Sequence, residues 1–132
     1  MIALDTSAIV AVAFGEADAR IYLGEIARNE CVLGTPTLFE AYLVVRSSGS
    51  PAALRILDQL IEHPALAVVA FDKDHFALAC AAFDRYGKGR GHPAQLNFGD
   101  CLAYAVAKRS GLSLLFKGQD FSKTDLRPAV RS

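Results

Sequence analysis

The chain has 132 residues, zero formal net charge, 52% hydrophobic residues and five prolines. That is enough chain to bury one real core, and the composition argues against disorder. No apolar run approaches the roughly 20 residues of a membrane span, and the apolar start MIALDTSAIVAVAF carries Asp5 and lacks a basic leader region.

Met1–Leu4 reads as a short buried strand ending at Asp5, followed by a helix over Ser7–Phe14 with Gly15 as its stop. Glu16–Arg28 continues helical, with Ile21, Leu23 and Ile26 as core candidates, and Cys31–Leu33 is a second strand. Thr35-Pro36-Thr37 opens a helix to about Arg46, because proline suits a first helical turn. Ser50-Pro51 repeats that start signal, and Leu54, Leu57 and Ile61 then fall on one helical face.

Leu66–Phe71 is apolar and β-branched enough for a third strand. Asp72 caps the next helix, in which Phe76, Cys80 and Phe83 recur at helical spacing. YGKGRGHPAQ, residues 86–95, is the clearest loop, with three Gly and one Pro in ten positions. Asn97 caps a helix that ends at Gly111, after Lys108 and Arg109. Leu112–Phe116 is a fourth strand, and the remainder is short and irregular, with room for one edge strand.

Apolar strands separated by helices imply an α/β fold whose parallel sheet is covered on both faces, in one domain over residues 1–132. Sites in such sheets form beyond the carboxyl ends of the strands. Asp5 and Asp120 stand there, while Glu40 and Asp100 open helical stretches. Each acid has a local alternative. Asp5 is a candidate helix cap, and Thr37-x-x-Glu40 fits a capping box. Asp100 complements a helix dipole, and Asp120 fits an Asx-turn. One shared cause explains four acids at one sheet edge more economically. Clustered carboxylates without basic partners hold a divalent cation, Mg²⁺ or Mn²⁺. Such ions activate water and stabilise in-line displacement at phosphorus, so no histidine base is required. His63, His75 and His92 form no metal-binding pattern and read as surface or cap residues. Thr6 and Ser7 are placed to hydrogen-bond a carboxylate or a metal-bound water.

Residues 1–84 hold 5 Lys/Arg and 11 Asp/Glu, whereas residues 85–132 hold 9 and 3. The basic half could face a polyanion, and Arg85, Lys88 and Arg90 on the Gly-rich loop are the candidate contacts to its phosphates. Cys31, Cys80 and Cys101 form no CxxC and read as small buried thiols. Apolar residues between 16 and 61, such as Leu23, Leu43 and Leu57, are candidates for a partner surface. There is no GxSxG elbow and no phosphate-binding glycine motif.

The opening IALDTSAIVA, the Glu40 helix, the run YGKGR…LNFGDCLAYAVAK and the ending LLFKGQDFSKTDL resemble PIN-domain ribonucleases, specifically VapC-type toxins. The resemblance spans essentially the whole chain. It implies a three-layer α/β/α sandwich around a parallel sheet of four to five strands. It also implies Mg²⁺- or Mn²⁺-dependent endonucleolytic cleavage of structured RNA such as tRNA or ribosomal RNA, in the cytoplasm. Asp5, Glu40, Asp100 and Asp120 match the family's catalytic and metal-binding acids, Asp5 and Asp100 most directly. Expected partners are a VapB-type antitoxin and a second copy of the chain, with no membrane. A noncatalytic receiver-like module binding Mg²⁺ at Asp5 is the alternative, but residues 6–14 lack the adjacent acid it needs. A phosphatase of the haloacid dehalogenase type needs a second Asp where Ser7 stands.

Overall fold

The computed structural model describes residues 1–130. Four short strands, β1 (Ile2–Leu4), β2 (Cys31–Gly34), β3 (Leu66–Val69) and β4 (Ser113–Leu115), form one parallel sheet in the order β3-β2-β1-β4. Ile2 pairs with both Cys31 and Ser113, so β1 is central. The chain adds β2 and β3 on one side of β1 and then returns to add β4 on the other. The carboxyl ends of β1 and β4 therefore form the switch point where such sheets place their sites. Among the described residues after β4 there is a 3₁₀ turn at Phe121–Lys123 and a single bridge from Leu114 to Pro128, not a fifth strand.

Among the described residues six helices cover the sheet: α1 (Thr6–Ala13), α2 (Ala19–Arg28), α3 (Thr35–Ser47), α4 (Pro51–Glu62), α5 (Lys73–Tyr86) and α6 (Phe98–Ser110). Alternation along the strands builds two cores. Ile2, Leu4, Cys31, Leu33 and Leu115 face one core with α1 to α4. Ala3, Val32 and Leu114 face the other, with α5 and α6. This three-layer arrangement matches the sequence expectation.

Three expectations about faces are corrected. Of the α2 core candidates only Ile26 is buried, while Ile21 and Leu23 are exposed. Phe76, Cys80 and Phe83 do not point into the core; all three are exposed. The buried side of α5 is His75, Ala82 and Tyr86, with Ala79 packed behind them. Ala82 and Tyr86, with Ala79, share a core with Ala103, Tyr104 and Ala107 of α6, so this side of α5 faces inward and the Phe76, Cys80 and Phe83 side is left to solvent. Leu57 is fully buried in the first core and offers no partner surface, whereas Leu23 and Leu43 are exposed.

Candidate active site

Asp5 follows β1 directly and caps α1. Its Oδ2 accepts from Ser7 N–H at 3.0 Å and from Ser7 Oγ at 2.5 Å. Ser7 Oγ in turn accepts from the Lys117 N–H at 2.9 Å, which ties the loop after β4 to the start of α1. Asp5 is only 4% exposed. Burial, opposed by the Ser7 bonds and reinforced by the Glu40 charge, pushes its carboxyl up to about 6. The capping role is real, and it orients the carboxylate without neutralising it.

Glu40 is not half of a capping box. Gly34 occupies the cap position of α3 and makes no side-chain cap, while Thr37 is buried inside the first turn. Glu40 Oε1 instead accepts from Thr6 Oγ1 at 2.5 Å, so α1 holds the α3 acid in place. Gly99 closes the cradle from the other side. A Cβ on Gly99 would overlap the Glu40 carboxylate, with Oε1 and Cδ both 2.8 Å away. Sequence reasoning missed Gly99. A glycine inside the first turn of an otherwise regular helix was the available signal, since it points to close approach by another group.

Asp100 completes a capping box with Asn97 at the start of α6. Its Oδ2 accepts from Asn97 N–H at 3.0 Å and its own N–H donates to Asn97 Oδ1 at 2.9 Å. Burial pushes its carboxyl up to about 7, and the charges of Asp5, Asp120 and Glu40 add to that. Asp120 is exposed, makes no cap hydrogen bond, and sits just before Phe121, whose buried ring packs on Phe116 at 5.2 Å. Asp100 therefore feels the charges of the other three acids, and Asp5 that of Glu40, across four separate elements.

Among the described residues, none of the four forms an ion pair. The nearby Lys117 is turned away, its Nζ bonded to Glu16 and to Asp18. Also among the described residues, no three His, Cys, Asp or Glu side chains meet at ligating geometry. The group is open rather than a closed cage. A set of hard carboxylate oxygens, with the proton affinity of Asp5 and Asp100 raised and no cationic partner among the described residues, fits a divalent ion that retains several waters. His92 stands apart, edge-on to Tyr86 at 4.8 Å, with its Nδ1 accepting from Ala94 N–H.

The Gly-rich loop is tied at its base, where Leu96 N–H donates to Tyr86 and Lys88 N–H donates to Leu96. Arg85, Lys88 and Arg90 are exposed and, among the described residues, form no ion pair. Arg85 lies over Tyr86 at 4.8 Å and Arg90 over Phe83 at 5.9 Å.

Acids gathered at the strand switch of a three-layer sandwich define a class, and the comparisons give the family of this fold. The model of the PIN domain matches residues 2–126, and the chain belongs to the PIN-domain family, in its VapC branch. It is 39% identical over 127 residues to Ribonuclease VapC42 of Mycobacterium tuberculosis, covering 96% of this chain and 97% of that one. It is 42% identical over 124 residues to Ribonuclease VapC of Mycolicibacterium smegmatis, covering 93% and 95%. Among solved structures it resembles M. tuberculosis VapC20, a Sarcin-Ricin loop cleaving toxin, with a TM-score of 0.72 at 20% identity over 97% of this chain and 100% of that one. It also resembles a toxin–antitoxin complex from Klebsiella pneumoniae, with a TM-score of 0.73 at 16% identity over the full length of both chains. These two likenesses concern the fold.

Proposed function

We propose that this chain is the toxin of a VapBC-type pair, an endoribonuclease that cleaves structured RNA with Mg²⁺ or Mn²⁺. The observation that supports this best is the mutual electrostatics of the acids. Burial, and with it the charges of Asp5, Asp120 and Glu40, raises the proton affinity of Asp100, and among the described residues no Lys or Arg pairs with any of the four. The ~40% identity to ribonucleases over nearly the whole chain supports the same chemistry.

When bound, the metal ion supplies an acidified water and charge stabilisation at phosphorus. Asp5 and Asp100 are assigned as its main protein ligands, with Glu40 and Asp120 completing the site or holding waters. Ser7 fixes the Asp5 rotamer, Thr6 fixes Glu40, and the Asn97 cap fixes Asp100. Arg85, Lys88 and Arg90 are assigned to backbone phosphates. The exposed apolar face of α2 and α3, with Ile21, Leu23, Phe39 and Leu43, is assigned to a VapB-type antitoxin. The toxin's action on tRNA or ribosomal RNA places it in the cytoplasm, and it works as a homodimer. No described helix is long and apolar enough to cross a membrane.

The test is cleavage of end-labelled tRNA and rRNA fragments by purified protein with Mg²⁺, Mn²⁺ or EDTA. Cleavage is expected with either ion and in neither EDTA nor the Asp100→Asn protein. Full activity of a folded Asp100→Asn protein removes the assignment.

A further inference from the structure

Three phenylalanines stand exposed on one surface: Phe76 at 61%, Phe83 at 43% and Phe98 at 80%. With Phe71, Cys80 and Leu102 they line an open groove of about 550 Å³ beside α5 and α6. A single exposed ring needs no explanation, but several rings in one groove mark a binding surface. The exposed apolar residues of α2 and α3 mix aliphatic side chains with Phe39 and Tyr42. This groove is mainly aromatic, and a guanidinium already lies over one of its rings, Arg90 on Phe83.

The groove lies beside the acid site: Phe98 and Cys101, both in its lining, bracket Asp100 on α6. Phe98 is the first residue of α6 and Asp100 the third, with Gly99 between them packed against Glu40. At about 100° of helical rotation per residue, Phe98 and Asp100 flank the same helix end roughly 200° apart. A strand crossing that helix end would place its phosphate at the carboxylates and a neighbouring base in the aromatic groove.

We propose that this groove is a stacking platform for unpaired nucleobases of the RNA, with Phe98 as its principal contact. The proposal rests on the ribonuclease reading above and adds the feature that selects the substrate. A flat ring accepts any base, so the groove discriminates unpaired from paired RNA and not one base from another. Arg90, over the ring of Phe83, is placed to meet a neighbouring phosphate and to offset the one carboxylate of the lining, Asp84. A second copy of this chain is the competing occupant.

The experiment uses Asp100→Asn protein with Mg²⁺, so that RNA is bound and not cut. Two fluorescein-labelled probes of equal length are titrated: a hairpin with an unpaired loop carrying 2-aminopurine, and a blunt duplex. Adding Phe98→Ala should weaken hairpin binding roughly 5- to 150-fold and abolish quenching of the 2-aminopurine. Duplex binding should not change, Phe98→Trp should restore the hairpin, and the salt dependence should stay as it was. Arg90→Ala should instead flatten the salt dependence. Circular dichroism checks that the exposed substitution leaves the fold intact. Unchanged hairpin affinity in Phe98→Ala overturns the proposal. A changed sedimentation coefficient in Phe98→Ala assigns the groove to a second copy and also overturns it. If the parent protein neither cuts nor binds RNA, the ribonuclease reading fails first. If the parent cuts RNA and only the Phe98 effect is missing, this inference fails alone.

Discussion

Replacing Asp5 by Asn should stabilise the metal-free protein at neutral pH. Burial raises the Asp5 carboxyl from 3.8 to about 6. With each tenfold in proton affinity equal to 1.36 kcal/mol, ionised Asp5 destabilises the fold by about 3 kcal/mol. The folded state binds this proton more tightly than the unfolded chain. The associated stability is therefore fully present below about pH 4 and lost as the pH rises through about 6. Asn carries no charge and caps helices as well as Asp, so the Ser7 N–H keeps its acceptor. Its NH₂ group, however, enters a site that is almost closed to water, at a cost of about 1–3 kcal/mol if unpartnered. The net expectation at pH 7.5 in EDTA is about 1 kcal/mol in favour of Asn, roughly 3–5 °C in Tm for a chain of this size. At pH 4 the advantage should vanish or reverse. Millimolar Mn²⁺ should raise the Tm of the parent by mass action and that of the variant less. Thermal melts at both pH values, with EDTA and with Mn²⁺, make the comparison. A variant that is less stable than the parent by the same amount at both pH values, with equal metal gain, would show that Asp5 serves only as a cap.

Gly99→Ala should fold, because the group it meets is the end of a flexible side chain, yet it should displace Glu40 and lower RNA cleavage by at least about tenfold; wild-type turnover would place Glu40 outside the chemistry. Thr6→Val removes the hydroxyl that holds Glu40 and should cost about 1 kcal/mol in urea unfolding, together with a loss of kcat. The triple variant Arg85→Ala, Lys88→Ala, Arg90→Ala should flatten the salt dependence of RNA binding by a log–log slope of about 0.7 per lost single-strand phosphate contact. An unchanged slope would direct these cations elsewhere.

What could be read in the sequence was what depends on near neighbours. Strand ends and helix starts carry their own signals: Asp5 after IAL, Pro36 and Pro51 in first turns, Asn97 before α6 and the left-handed Gly111 after it. Those signals placed Asp5 and Asp120 beyond strands and Glu40 and Asp100 on helices. What the sequence could not decide is which face of a helix meets a partner, because that depends on residues far along the chain. Thr37-x-x-Glu40 satisfies a local capping pattern, but the hydroxyl that meets Glu40 is Thr6, 34 residues away. Helical spacing made Phe76, Cys80 and Phe83 one face, and only the packing of α5 on α6 turned that face outward. The strand order β3-β2-β1-β4 likewise belongs to the tertiary structure. It brings β4 beside β1, seats Lys117 N–H on Ser7, and sets Asp120 within electrostatic reach of Asp100. The four acids were visible one at a time; their shared field arises because non-local strand pairing closes the distance between them.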